Sequence, residues 1–415
     1  MNQAVVIIGG GAAGYFAAIN FAEKYPGNNI LILEKTNKIL SKVKISGGGR
    51  CNVTNIISQP DELTKFYPRG AKELKGAFHR FTSTDTISWF ENRGIKLKSE
   101  ADGRIFPVTD DSQTIVNCLI SSAGKAGIKV LTGINVKNIS PDDSGKWLVE
   151  TAEQNMSADK LLIAAGSNEY MWKLLGRMGH KIEPPVPSLF TFNIKDERIK
   201  GLEGISLKNA EVKIDNSLLK STGDILITHW GVSGPVILKL SAWGARDLFH
   251  KNYKFDLIIN WINKNPEQIR NYLSDYKQSN LNKSVQANPL FNLPVRLWER
   301  LAEYSGINPE LKWNGVSKFI INAFTAELTS GKFLVSGKST FKEEFVTCGG
   351  VNLKEVDFKT MQSKIHKGLF FAGEVLDIDA VTGGFNFQSA WTTAWIAANA
   401  MGKQNNEDTP YKTNI

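Results

Sequence analysis

Residues 4–34, AVVIIGGGAAGYFAAINFAEKYPGNNILILE, limit this chain more than any other stretch: an uncharged strand, a glycine turn, a helix, then a second strand closed by an acid. Gly9 permits a sharp turn out of the strand, Gly11 brings no side chain against an approaching ligand, and Gly14 lets the helix pack close on the strand. Ala12 and Ala13 open the helix, whose free N–H groups and positive dipole end suit a pyrophosphate. Glu34 follows Gly14 by 20 residues, where a carboxylate accepts hydrogen bonds from a ribose diol and repels a 2′-phosphate. The expected ligand is a dinucleotide with an unphosphorylated adenosine ribose. A glycine turn without a ligand would need strand, helix, second strand and acid to coincide by chance.

Ala4–Ala22 carries no charge and could pass for an export signal or a membrane span. Only Met-Asn-Gln precedes it, without a basic start, and three successive glycines suit a lipid-facing helix poorly. The expectation is a soluble, cytoplasmic protein with no membrane partner. At 415 residues it should hold two or three domains, and 42% apolar with 22% charged residues describes an ordinary globular chain. Cys51, Cys118 and Cys348 stand far apart without a CxxC pair, so neither a disulfide framework nor a metal site is expected. The net charge of +9 is scattered, with no block of like charge, which argues for solvated surface over a nucleic-acid face. Lys35, Lys38, Lys42, Lys44 and Arg50 are the local exception, positive charge placed directly after the fingerprint.

KVKISGGGRCNVTN (42–55) reads as a loop, because three consecutive glycines disfavour helix and strand alike. Residues 83–94 and 113–127 read as helices, 128–139 and 146–152 as alternating strands, and 159–166 as a buried strand. After Pro184, Pro185 and Pro187 the pattern is strand-like to about 257, then helical from about 265 to 331. The end of the chain returns to α/β grammar, and the polar tail KQNNEDTPYKTNI should fray. The predicted fold class is α/β: a discontinuous Rossmann-like domain (1–187 and 345–415) interrupted by a β-rich domain (188–260) and a mainly helical one (261–344).

Several segments converge on one cofactor and favour FAD over NAD, since a flavin must also be held along its ribityl chain and at its ring. Ala165-Gly166 and Gly373-Glu374 have the form of sheet edges approaching the middle of an extended dinucleotide. Glu374 is suited to a ribityl hydroxyl, or to a place near the pyrophosphate through a water; a solvated turn acid is the competing reading. The helix opening at Gly384-Phe385-Asn386-Phe387 offers N–H groups and a dipole to negative charge on a reduced ring, against the plainer role of a helix packed in a core.

These residues resemble the BaiN-type FAD-binding flavoproteins, a family with aminoacetone-oxidase-like members. The matching stretches are GGGAAG (9–14), the Lys42 to Asn55 segment with SGGGRCNVTN, GRIFPVTD (103–110), THWGVSGPVIL (228–238), TCGGV (347–351) and GEVLDIDAVTGGFNFQSAW (373–391). The resemblance implies a glutathione-reductase-like Rossmann domain binding FAD, with a β-barrel and a helical part inserted. Carried over by position, Gly9, Gly11, Ala12, Ala13 and Gly14 would hold the pyrophosphate, Glu34 the ribose with Lys35 beside it, and Val136 the adenine through its backbone. Lys42 and Ser46, Gly47, Gly48, Gly49, Arg50, Cys51 and Asn52 would line the phosphate and flavin side. Gly373, Glu374, Asp379, Gly384, Phe385, Asn386 and Phe387 would meet the ribityl and pyrimidine end; Phe387 stands where an aliphatic residue is expected.

Substrate chemistry is written more faintly. His229 in THWGVSGP is the candidate proton donor or substrate anchor, with a buried, satisfied histidine as its rival. Arg104 could bind an anionic substrate or a flavin carbonyl, or form a surface ion pair. Cys51 lacks a CxxC partner and reads better as a packing residue than as a redox thiol. The expected function is hydride transfer between a small organic substrate and flavin N5, with reduction of an activated C=C bond and oxidation of an amine both open. With one fingerprint in the chain, NAD(P)H would serve only as a transient electron donor. The alternative is an RNA-binding or RNA-modifying flavoprotein.

Overall fold

A computed structural model describes residues 3–339 and 346–402, so the tail expected to fray lies outside the described residues. The chain divides into two compact units, Met1–Pro185 with Thr347–Ile415, and Val186–Val346.

The first unit is built on a seven-stranded sheet ordered Val356–Asp357, Gln362–Ser363, Leu369–Phe371, Lys160–Ile163, β1 (Ala4–Ile8), β2 (Asn29–Glu34), Lys129–Thr132. From Leu369–Phe371 through Lys129–Thr132 every pairing is parallel. Such strands are covered on both faces and read as unbroken apolar runs, as Val5-Val6-Ile7-Ile8 and Leu161-Leu162-Ile163 do. α1 (Ala12–Lys24) packs on the C-terminal helix Phe385–Met401. Both are apolar almost all round because each is sandwiched, a pattern that marks a buried helix; the rings of Phe16 and Trp391 meet at 5.0 Å.

Two local readings change. Ser41–Ile45 is helical, so α2 (Ser41–Gly49) starts inside the expected loop, but its backbone breaks at Ser46 (ψ 151°) and turns left-handed at Gly47 (φ 59°) and Gly48 (φ 68°). Residues 128–139 form two short strands, Lys129–Thr132 and the start of Asn138–Pro141, with Val136 in the irregular link between them.

The second unit is a closed barrel, ordered Thr191–Ile194, Gly231–Ser233, Lys220–Thr228, Ser206–Ile214, Phe255–Asn260, Gly331–Ser339. Its last strand comes from beyond the helical stretch, so barrel and helices share one apolar core. Helices Pro235–Trp243 and Ala245–His250 lie where strands were expected. VILKLSAW is too short and apolar for periodicity to decide, and the start signal was Pro235 at the first helical position. No helix among the described residues is long and apolar enough to cross a membrane.

Candidate functional site

The fingerprint glycines divide into those that touch protein and those that face space. A Cβ on Gly9 would lie 2.3 Å from the Ala164 carbonyl oxygen, and one on Gly14 would lie 2.0 Å from the Gly9 carbonyl oxygen. These two glycines weld β1, α1 and the strand Lys160–Ile163 together. A Cβ on Gly11 meets nothing within 4 Å, so the helix N-terminus above it is open to a ligand. Ala13 sits against Gly373, whose added Cβ would be 3.1 Å away, and the Gly373 N–H is anchored on Thr393 Oγ1 at 3.0 Å.

Around this opening stand the expected acids and bases. Glu34 Oε2 accepts the Gly10 N–H at 2.9 Å, and Oε1 accepts both the Thr36 N–H and its hydroxyl at 2.9 Å. Those bonds aim the carboxylate while leaving acceptor capacity, since an ionised carboxylate offers about four lone-pair sites. Burial, reinforced by Glu34, pushes the Tyr15 phenol up to about 12. Glu374 pairs with Lys42 at 2.5 Å, and a Cβ on Gly166 would lie 3.6 Å from the same carboxylate; the four residues at the two sheet edges are thereby brought together. Lys35 is exposed. Val136 is buried at 5% exposure, just past Ile134, whose N–H reaches the Glu34 carbonyl at 2.9 Å.

The glycine run is the second half of the cradle. Gly47, Gly48 and Gly49 are successive left-handed residues (φ 59°, 68° and 83°), and a Cβ on Gly48 or Gly49 meets nothing within 4 Å. Consecutive N–H groups in such a turn form an anion-binding concavity. The run is fastened to the C-terminal helix: Asn52 accepts the Gly384 N–H at 2.8 Å and donates to the Thr54 carbonyl at 2.9 Å, and Asn55 Nδ2 donates to the Gly383 carbonyl at 3.0 Å. Asn386 closes its own loop by pairing with both backbone groups of Ala380, at 2.9 and 3.0 Å. The N–H groups of Phe385, Asn386 and Phe387, in the first turn, have no intrahelical acceptor.

Other expected residues have structural partners. The Phe385 ring stacks on Phe66 at 4.2 Å, and the Phe387 ring stacks on Trp391 at 5.6 Å. Asp379 is fully buried in an ion pair with Arg69. Cys51 is buried, and burial pushes its thiol up to about 12, which keeps it neutral. Arg50 bonds Glu100 at 2.6 Å over the Phe106 ring, and Arg104 bonds Asp102 at 2.7 Å and Glu100 at 2.9 Å. In the second unit, His229 lies at the tight turn between Lys220–Thr228 and Gly231–Ser233, 80% exposed and 3.8 Å from Glu203; it is not the buried histidine of the rival reading.

Sequence reasoning missed the buried polar clamp behind the cradle. Gln388 Oε1 accepts from Thr54 Oγ1 at 2.6 Å and Thr86 Oγ1 at 2.9 Å, while its amide donates to Thr392 at 3.0 Å. Trp391 donates to the Val53 carbonyl at 3.0 Å, and the Tyr67 hydroxyl donates to the Phe385 carbonyl at 2.6 Å. The available signal was the pair Gln388 and Thr392, polar residues four apart on a helix whose other positions there include Ala390 and Trp391.

The donor set fits FAD. An open helix N-terminus and a left-handed glycine run suit phosphate, Glu34 suits ribose, and the unpaired first turn at Phe385 suits an electron-rich ring.

Comparison with known proteins agrees. The model of the family described as HI0933-like protein Rossmann domain matches residues 3–400. A Haemophilus influenzae protein named ribosomal RNA dihydrouridine synthase is 29% identical over 413 residues, covering 96% of this chain and 98% of its own. A Clostridium scindens protein named 3-dehydro-bile acid delta(4,6)-reductase is 26% identical over 418 residues, covering 97% and 100%. Among solved structures, the 3-ketosteroid-delta4-(5alpha)-dehydrogenase of Rhodococcus jostii RHA1 covers 97% of both chains with a TM-score of 0.53 and 13% identity, a likeness of fold.

Proposed function

The chain belongs to the HI0933-like Rossmann family of FAD-dependent oxidoreductases, and within it we propose that this protein reduces an activated carbon–carbon double bond. The observation that carries the reading is the single dinucleotide cradle, open at Gly11, Gly48 and Gly49 and completed by the unpaired helix turn at Phe385–Phe387. Two relatives of nearly full length, with different substrates in their names, are both named for saturating a ring double bond.

When bound, FAD supplies hydride at N5. The protein's share is to bind, orient and polarise. Glu34 and Lys42 fix the adenosine and phosphate side, and Glu374 the middle. The helix at Phe385 presents N–H groups and a dipole that stabilise negative charge at its N-terminus. Arg104 is committed to Glu100 and Asp102, so it shapes the wall near Phe106, which leaves His229 as the candidate proton source. NAD(P)H is the proposed transient electron donor, and a small molecule with an unsaturated carbonyl the proposed substrate.

Anaerobic absorbance tests this. Bleaching by NADH or NADPH followed by recolouring with an enone is the expected result; recolouring by a uridine-containing oligonucleotide and by no small enone would overturn the small-molecule substrate. Bleaching by amines with no recolouring by enones would make the protein an oxidase and overturn the reading. His229→Ala should retain flavin yet recolour more slowly in stopped flow.

A further inference from the structure

Asp379 is a buried carboxylate in the loop that leads into helix Phe385–Met401. Ala380 beside it is bonded through both backbone groups to the Asn386 side chain, in the first turn of that helix. A negative charge so placed works against the helix: it offsets the positive end of the dipole and repels any anion brought to the N–H groups of Phe385–Phe387. Arg69 answers it. The guanidinium donates to both Asp379 oxygens, through Nε and Nη2, the two-pronged pairing that fixes a carboxylate in direction as well as in charge. The Arg69 side chain is 13% exposed and that of Asp379 0%, so bulk solvent screens the pair little.

Arg69 belongs to a strap, Phe66–Gly70, that lies along residues 378–385 and in which it is the only charged residue. The Val381 N–H donates to the Phe66 carbonyl at 3.0 Å, the Tyr67 hydroxyl reaches the Phe385 carbonyl, and the backbones of Arg69 and Asp379 form an antiparallel bridge. A Cβ on Gly70 would lie 2.7 Å from Ile378. Uncharged contacts thus already fasten the loop, and a buried ion pair adds little stability over apolar residues of the same volume. What the pair supplies is charge balance behind the helix start. We propose that Arg69 is a positioning residue that holds up the reduction potential of the bound flavin, cancelling Asp379 so that the helix end at Phe385 stays electropositive toward the charge of the reduced ring. This deepens the proposed function; it rests on that reading for placing the flavin at this helix end and not for the substrate.

The test uses the full-length, FAD-loaded protein, reduced in stages with dithionite against a reference dye to read the midpoint potential of the flavin. Asp379→Asn leaves the guanidinium uncompensated and should raise the potential; a guanidinium stays charged in any surroundings, so this arm keeps its sign at every pH. Arg69→Gln leaves the carboxylate uncompensated and should lower the potential. Each should move the two-electron equilibrium about tenfold, or about 30 mV, the scale of one unit charge at an effective dielectric constant of about 20. Arg69→Gln/Asp379→Asn removes both charges and should return close to the wild-type value. Arg69→Lys keeps the charge without the two-pronged geometry and should hold the wild-type potential while melting lower. Single variants that melt lower with potentials unmoved, or moved in the same direction, would overturn the proposal. So would an Arg69→Lys potential as low as that of Arg69→Gln, or single variants that fail to fold beside a double variant that loads flavin normally, which would assign the pair to folding alone. Opposite shifts in a protein that passes electrons to no enone support the role of Arg69 and remove the reductase reading; unmoved potentials with recolouring by enones intact do the reverse.

Discussion

A methyl group added to Gly14 would stand 2.0 Å from the Gly9 carbonyl oxygen, inside any permitted contact, whereas one added to Gly11 meets nothing within 4 Å. Two glycines of one fingerprint therefore do different work: Gly14 closes protein on protein, and Gly11 keeps room for a ligand. Gly14→Ala should destabilise the fold by about 2–3 kcal/mol, the usual scale of overpacking, and lower the melting temperature by several degrees with or without FAD. Gly11→Val should melt as the wild type does without cofactor and yet purify colourless. A yellow, fully loaded Gly11→Val protein would remove the pyrophosphate from this position.

Glu34 is held by Gly10 and Thr36 at 2.9 Å on both oxygens. Loss of a charged hydrogen-bonding partner is worth about 1.5–3 kcal/mol, so Glu34→Ala should weaken FAD affinity by roughly 10- to 100-fold in a fluorescence titration of the stripped protein. Unchanged affinity would show that the ribose lies elsewhere.

Cys51 is buried beside the glycine run, and its thiol is pushed up to about 12 by that burial, against a lesser opposing pull from a hydrogen bond to Ser46. Alkylation needs the thiolate. Iodoacetamide at pH 8 should leave Cys51 unmodified in the folded protein, at a rate about 1000-fold or more below that in urea, given an ordinary thiol near 8.5. Peptide mass spectrometry reads this directly, and fast labelling of the native protein would restore a redox role.

How far the sequence could be read depended on how local each signal was. The βαβ fingerprint and Glu34 were legible because turn, helix start and acid lie within 31 residues, 4–34, and each follows from backbone sterics. The interruption by an insert was legible from the return to α/β grammar after residue 365. Helix Ser41–Ile45 was hidden by the glycines that follow it. The strand Gly331–Ser339 was hidden because its place in the barrel is set by partners at Thr191–Ile194 and Phe255–Asn260, far off in sequence. The partner of Asp379 was hidden because only the fold brings Arg69 to it.

The clamp centred on Gln388 joins three segments that are distant in sequence. Gln388→Leu would leave the Thr54 hydroxyl buried without its acceptor, at about 1–3 kcal/mol for the unsatisfied group, while the Thr86 hydroxyl keeps the Thr82 carbonyl. A lower denaturant midpoint and faster FAD release are expected together, because the same clamp positions the glycine run. Thr54→Val added to Gln388→Leu should recover part of the loss, since removing both partners of a buried bond is milder than removing one. Strict additivity of the two substitutions would show that they do not share this bond.

His180 gives the fold a pH dependence whose sign follows from burial. Its side chain is fully enclosed, with Nδ1 3.0 Å from Glu355 Oε2 and Nε2 3.1 Å from Ser363 Oγ. Burial, the larger effect, holds its pKa below the ordinary value; Glu355 pulls the other way and His366 assists the lowering. The unfolded chain therefore takes up a proton near pH 6.5 that the folded chain still refuses. Between that pH and the lower folded value the unfolded state binds more protons, so stability rises with pH and falls as the solution is acidified below about 6.5. His180→Gln keeps hydrogen-bonding capacity without a titrating ring; it should lower the melting temperature at pH 7.5, where it loses packing on Phe371, whose ring centroid is 5.2 Å from the imidazole. Its melting temperature should then change less than that of the wild type between pH 7 and pH 5. Parallel pH profiles for the two proteins would assign the acid sensitivity to other groups.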